Sequence, residues 1–168
     1  MTYTLDSALS FSSNTQLSGD VVTATTAQIK RLSVDDQLAL LWFAYTEIGR
    51  SITPAAPGAA RLQFAEGLLN QIKQMPHQEQ FQTMRDLVNK VNSPISRSYG
   101  VLSVNTKLAF WYQLAEMMKE GSVIPVPAGY KMSRQASQAL ANLTQLEFGQ
   151  QITVMRRAVA NMGIDPFN

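Results

Sequence analysis

The chain of 168 residues carries few groups able to make or break bonds. It has no Cys, which removes disulfides, thiolate metal sites and cysteine nucleophiles together. A single histidine, His77, leaves no second imidazole for a multi-His metal centre or an acid/base pair. It follows Pro76 at the start of a helical stretch, where a solvated first-turn residue is the simplest reading. Glu47 and Glu116 sit at matching places on two apolar stretches and could act as acid and base across a midline. Ion pairing is the commoner use of such carboxylates. Gly-rich phosphate loops are absent. Lys30-Arg31 and Arg156-Arg157 fall near helix ends or on a helix surface, where solvation and the helix dipole account for them. No catalytic residue and no metal ligand is assigned, and the chain is not read as an enzyme.

What the sequence offers instead is rings and thioethers at helical spacing. Leu38, Leu41, Trp42, Tyr45 and Gly49 share one face of a stretch whose neighbouring face carries Leu40, Phe43 and Ala44. On a second stretch Leu108, Trp111, Tyr112, Ala115 and Met118 form one stripe, and Phe110, Leu114 and Met117 another. Plain core packing is the bland account of both. Trp and Tyr, however, carry polar atoms that need partners when buried, which a simple core avoids. Together with Met75, Met84, Met118 and Met155 they suit a slot for a large conjugated or otherwise apolar ligand.

These stripes need helices to carry them. Three-to-four-residue periodicity dominates and no alternating strand pattern occurs, so the fold class is all-α. Helices are expected over about 20–32, 33–51 (opened by a Ser33/Asp36 capping box), 59–75, 76–91, 95–99, 103–120 (Ser103 cap, Gly121 stop), 133–146 and 148–162, with Gly163 in the C-cap role. The length fits one domain. Charged residues reach only 15% against a typical ~25%, with 15 Gln among the polar residues, and 14 Lys+Arg against 12 Asp+Glu leave +2, so nucleic-acid binding gets little support. The N-terminus has no basic leader or long apolar core, and the longest apolar run, Leu38 to Tyr45, is far short of the ~20 residues a membrane span requires. A soluble cytosolic protein that does not span the membrane is expected.

The two aromatic stretches also resemble each other. Ser33-Val34 with Gln37-Leu38-Ala39 recurs 70 residues on as Ser103-Val104 with Lys107-Leu108-Ala109, and each helix ends in a Ser/Pro/Gly break. A duplication would give two helical halves about an approximate two-fold axis, with both Trp residues facing a common midline.

Six strings carry a specific resemblance: DQLALLWFAYTEIG (36–49), ITPAAPGAA (52–60), QFAE (63–66), TKLAFWYQLA (106–115), IPVPAGYK (124–131) and GQQITVMRRAVANMG (149–163). In order and spacing they are similar to the carotenoid-binding N-terminal domain of the cyanobacterial orange carotenoid protein, from about Asp20 to Gly163. The resemblance implies two interleaved four-helix bundles, with a variable arm at 1–19 and a helical carotenoid-binding domain at 20–168. Because the chain ends at Asn168, it resembles the stand-alone helical carotenoid proteins, and no photoswitching on its own is expected.

The cofactor implied is a keto-carotenoid: canthaxanthin, echinenone or 3'-hydroxyechinenone. Its implied contacts are Leu38, Leu41, Trp42, Tyr45, Gly58, Met75, Met84, Leu87, Leu108, Phe110, Trp111, Tyr112, Ala115, Met118, Val126, Pro127, Tyr130, Ile152 and Thr153. Asn105 and Arg156 match the positions that bridge to the family's second domain, and Arg156 also matches the arginine that engages the phycobilisome. A tunnel along helices of about 20 residues would be roughly 30 Å long. Three functions compete: a photoprotective carotenoid holder that quenches singlet oxygen or carries pigment, a phycobilisome quencher, and a pigment-free helical interaction module. Further partners on this view are a separate carrier resembling the missing C-terminal domain and a second copy of the chain. The thylakoid surface is the implied site of any association.

Overall fold

The computed structural model describes residues 19–52 and 61–168, and for 50–52 the backbone alone. Within them the chain is helical throughout: α1 (19–30), α2 (Val34–Ile52), α3 (Gln63–Gln74), α4 (His77–Asn89), α5 (Pro94–Gly100), α6 (Val104–Glu120), α7 (Arg134–Gln145) and α8 (Phe148–Ala160). Local chemistry sets the boundaries. The hydroxyls of Ser33, Ser93, Ser103 and Ser133 each accept from the backbone N–H three residues on, at 3.1–3.2 Å, satisfying donors that a helix start leaves orphaned. Pro94 occupies the first turn of α5, where its missing N–H costs nothing. Gly121 closes α6 at φ 84, a left-handed conformation that a Cβ disfavours.

The expected boundaries at Ser33, Ser103, Gly121 and Ser133 agree with those observed to within a residue. Two differ. The helix expected from Ala59 starts at Gln63, with 59 and 60 outside the described residues. The last helix ends at Ala160, capped by Asn161, so Gly163 lies beyond the cap, at φ 70.

The half-repeat extends to the other helices. α2 and α6 start 70 residues apart, and α1 and α5 end 70 apart. The hairpins α3–α4 and α7–α8 match at both ends with a shift of 71. Met75 and Leu146 end α3 and α7 in the same extended conformation, ψ 151 and 156, and each donates its N–H to the carbonyl three residues back. Gln80 and Gln151, also 71 apart, are both buried. Their amides donate to Ile72 O and Leu143 O, at 3.1 and 3.3 Å, supplying partners for helix-end carbonyls shut off from water.

The halves interleave. α2 packs on α4 of its own half and on α7 of the other, whereas α6 packs on α8 of its own half and on α3 of the other. α2 and α6 also meet directly, with the rings of Tyr45 and Tyr112 edge to face at 5.1 Å. Two four-helix bundles thus share their central pair, and the buried faces of Leu40, Ala44, Phe110 and Leu114 form the centre of the core.

Candidate functional site

Between α2 and α6 the core does not close. A narrow slot with about 40 Å³ of free interior space, open to solvent at its mouth, runs between the two aromatic helices. Leu38, Leu41, Trp42 and Tyr45 line it from α2, and Leu108, Trp111, Tyr112, Ala115 and Met118 from α6. Phe81 and Met84 come from α4, Met155 from α8, and Ile124, Pro125 and Val126 from the segment after α6. The first four positions of α2 are those of Leu108, Trp111, Tyr112 and Ala115 moved back by 70, and Met84 is Met155 moved back by 71. Each half thus contributes the same five positions, and the two tryptophans lie on one cavity.

The walls are rings, thioethers and alkyl groups, with no carboxylate, amine or imidazole among them. Such a surface offers dispersion and area to an apolar guest, and no proton donor or acceptor except phenols and indoles. Trp111 is 7% exposed and fixed: its indole N–H donates to Tyr99 Oη at 2.9 Å, and that hydroxyl donates to Val159 O at 2.8 Å. Burial pushes the Tyr99 phenol far up in pKa. Trp42 is half-buried, tilted against Tyr45 at 6.1 Å, and has no hydrogen-bond partner among the described residues. Gly49 leaves room for the Tyr45 ring, since a Cβ there would lie 2.8 Å from Cδ2.

A strap from Gly121 to Ser133 supplies the loop wall and is tied at both ends. At its start, Gln80 Oε1 accepts from Ile124 N at 2.8 Å while Gln80 Nε2 donates to Ser122 O. At its end, Asp36 Oδ1 accepts from Tyr130 Oη at 2.9 Å and from Ser133 N at 3.4 Å. Burial raises the Asp36 pKa, but the hydrogen bonds from Ser133, Tyr130 and Ser33 outweigh it and hold the carboxyl below its usual range. Burial and the Asp36 carboxylate together push Tyr130 up to about 12. The carboxylate of the Ser33 capping box therefore serves the strap, and only the Ser33 half of the box forms.

Eleven of the residues implied by the resemblance lie on the slot: Leu38, Leu41, Trp42, Tyr45, Met84, Leu108, Trp111, Tyr112, Ala115, Met118 and Val126. Seven do not. Leu87 and Phe110 are fully buried in the core, turned off the slot face by the helical rotation from Met84 and Trp111. Met75, at the end of α3, accepts from the Thr83 hydroxyl. Pro127 is exposed, Tyr130 latches the strap, Ile152 is half-buried beside the slot residue Met155, and Thr153 turns its hydroxyl back to Gly149 O. Gly58 lies outside the described residues.

Phe81, Ile124 and Pro125 belong to the wall although no stripe marks them; Phe81 is one turn before Met84, a spacing that could have found it. Met155 follows from Met84 through the repeat. The lined part of α6, Leu108 to Met118, spans about 15 Å of helix rise, half the expected tunnel length.

The repeat also accounts for Arg156. Its counterpart 71 residues earlier, Arg85, forms a two-pronged pair with Asp35, both contacts 2.8 Å, and lies 4.1 Å above the Phe81 ring. The counterpart of Asp35 is Asn105, so the second half has no carboxylate at that position. Arg156 and Asn105 are both exposed, and Arg156 has no ion pair among the described residues. Glu47 is exposed, and Glu116 accepts from Tyr112 Oη at 3.4 Å, so neither carboxylate faces the slot.

Comparison with known proteins places this architecture. The family model described as orange carotenoid protein, N-terminal, matches residues 14–165. The chain is 63% identical over 168 residues to an orange carotenoid-binding domain-containing protein of Nostoc sp., covering 99% of this chain and 98% of that one. It is 50% identical to the orange carotenoid-binding protein of Limnospira maxima but spans only 52% of that protein's length. Among solved structures, the orange carotenoid protein of Anabaena (Nostoc) sp. binding canthaxanthin superposes with a TM-score of 0.80 at 53% identity, over 88% of this chain and 48% of that one. The Red Carotenoid Protein of the same organism, binding canthaxanthin, gives 0.74 at 41% identity over 84% of this chain and 97% of that one. With the family model matching residues 14–165 and the fold shared over more than four fifths of the chain with these structures, the protein belongs to the orange carotenoid protein N-terminal family.

Proposed function

We propose that this chain is a photoprotective carotenoid-binding protein that holds a keto-carotenoid in the slot between α2 and α6. The observation that carries this is the slot itself: a cavity in a small helical core, walled by Trp42, Trp111, Tyr45, Tyr112 and three methionines, with no charged group. The donor set fits the guest. A polyene offers hydrocarbon area and end rings, which the thioethers and aromatic faces match, and a keto oxygen can stay at the open mouth.

When bound, the conjugated chain supplies states that accept excitation energy and release it as heat. The protein's own residues bind, orient and exclude water. Burying several hundred Å² of hydrocarbon at ~25 cal/mol/Å² contributes on the order of 10 kcal/mol before ordering costs. Trp111, held by Tyr99, and the crossed Tyr45/Tyr112 pair give a wall that restrains ring torsion. The strap shields one side of the slot.

A second reading, docking on a phycobilisome, is favoured by one feature: Arg156, exposed and without the carboxylate its counterpart enjoys. Both tryptophans of the chain line the slot. Titration of pigment-free protein with canthaxanthin should therefore quench nearly all tryptophan emission at one equivalent. Unquenched emission would rule out occupancy of the slot.

A further inference from the structure

The node behind Trp111 differs between the two halves in a way that packing does not demand. Seventy residues before Tyr99 and Trp111 stand Ile29 and Leu41, both buried and both without a polar atom in the side chain. At these two positions the first half therefore has no pair of polar side-chain atoms to hydrogen-bond. The second half places a phenol and an indole at the same two positions and hydrogen-bonds them.

The phenol is held from every side. Its hydroxyl donates to Val159 O, its ring meets Phe110 edge to face at 5.2 Å, and Lys107 Nζ lies 5.2 Å from the ring centre while donating to Ala160 O at 2.8 Å. Gly163 completes the enclosure: a Cβ there would come within 2.6 Å of Tyr99 Cδ1, so only glycine lets the C-terminal segment close over the ring. Tyr99 is fully buried and does not line the slot, whereas Trp111 does.

We propose that Tyr99 is a positioning residue for the carotenoid: its hydroxyl fixes the plane of the Trp111 indole at the slot wall and thereby tunes the absorption and retention of the bound pigment. This rests on the carotenoid-binding reading above. An indole free to rotate about its two side-chain torsions presents a variable face to the guest, whereas one with its N–H committed presents a single face.

The test uses full-length protein loaded with canthaxanthin. Tyr99→Phe removes one oxygen and keeps the ring. It should move the visible absorption maximum and speed pigment loss to acceptor liposomes roughly fivefold to tenfold, the scale of losing the bond to the indole, one of the two that the hydroxyl makes. Leu143→Ala, a buried change in α7 away from both Tyr99 and the slot, should lower the melting temperature without moving the spectrum. In a Trp111→Phe background, Tyr99→Phe should add nothing to the release rate or the spectrum, because the residue it acts through is gone.

An unchanged spectrum and release rate in Tyr99→Phe, or full additivity in the double variant, would overturn the proposal while leaving carotenoid binding standing. Wild-type protein that takes up no canthaxanthin would instead overturn the reading beneath it. Should Tyr99→Phe not fold, replacing Trp111 by its benzothiophene analogue, in which sulfur stands in place of the N–H, removes the same hydrogen bond from the indole side; it should shift the spectrum and speed release in the same sense, and no change would overturn the proposal.

Discussion

Trp42 and Trp111 share a cavity but are held differently, and the difference has consequences. Trp111 is buried with its N–H committed, whereas Trp42 leans on Tyr45. Trp111→Ala and Trp42→Ala should each weaken pigment retention and alter the visible spectrum, with Trp111→Ala also lowering stability by ~3–5 kcal/mol as a large buried deletion. Leu143→Ala, in the core of α7 away from the slot, should lower stability by ~2–5 kcal/mol and leave the spectrum nearly unchanged. Absorption spectra and chemical denaturation of the three variants check this. The slot residues of α2 and α6 were legible because i, i+3, i+4, i+7 spacing survives folding directly. Leu87 and Phe110 were not separable from them, since a residue one or three places along a helix that is apolar on nearly every face differs only by rotation. Polar partners such as Tyr99 for Trp111 lie twelve residues away on another helix, and no local pattern announces them.

The strap owes its place to two polar ties that join elements far apart in sequence. Asp36→Asn should weaken the tie to Tyr130 and Ser133 and destabilise the protein by ~1–2 kcal/mol, the scale of charge-assisted hydrogen bonds lost. Its folded pKa lies below the ordinary 3.8, so the contribution is fully present above that value and is lost as pH falls through the depressed one. The stability gap between wild type and Asp36→Asn should therefore close below about pH 3.8; a gap independent of pH would contradict the assignment. Tyr130 works in the opposite sense. With its folded pKa raised to about 12, wild type should lose stability between pH 10 and 12 relative to Tyr130→Phe, measured by thermal melts across that range. Ser caps and Gly121 announced the helices on either side, but the proline-rich run IPVPAGY gives no sign of what it crosses. Asp36 signalled a capping box by its spacing from Ser33, and the competing partner 94 residues on won its side chain.

Across the whole molecule, the duplication explains both the cavity and the asymmetry of its surface. Two copies of one helical unit, interleaved so that each central helix packs on both halves, bring matching stripes face to face, and rings opposed across a midline leave a slot that side chains do not fill. Sequence comparison of the central helices alone revealed a weak repeat; the hairpins α3–α4 and α7–α8 match in geometry more closely than in residue type, which hid them. Substitutions within the repeat then divided the labour, an internal Arg85–Asp35 pair in one half and an exposed Arg156 beside Asn105 in the other. An apolar slot left without its guest forgoes the contacts the guest would make, so pigment-loaded protein should melt several degrees above the pigment-free form, rising with free pigment as mass action requires. The most direct test is the visible absorption of the protein purified from a host that makes canthaxanthin. A coloured protein carrying one canthaxanthin per chain, its spectrum displaced from that of the free pigment, is the predicted result; a colourless protein that folds normally would contradict the account.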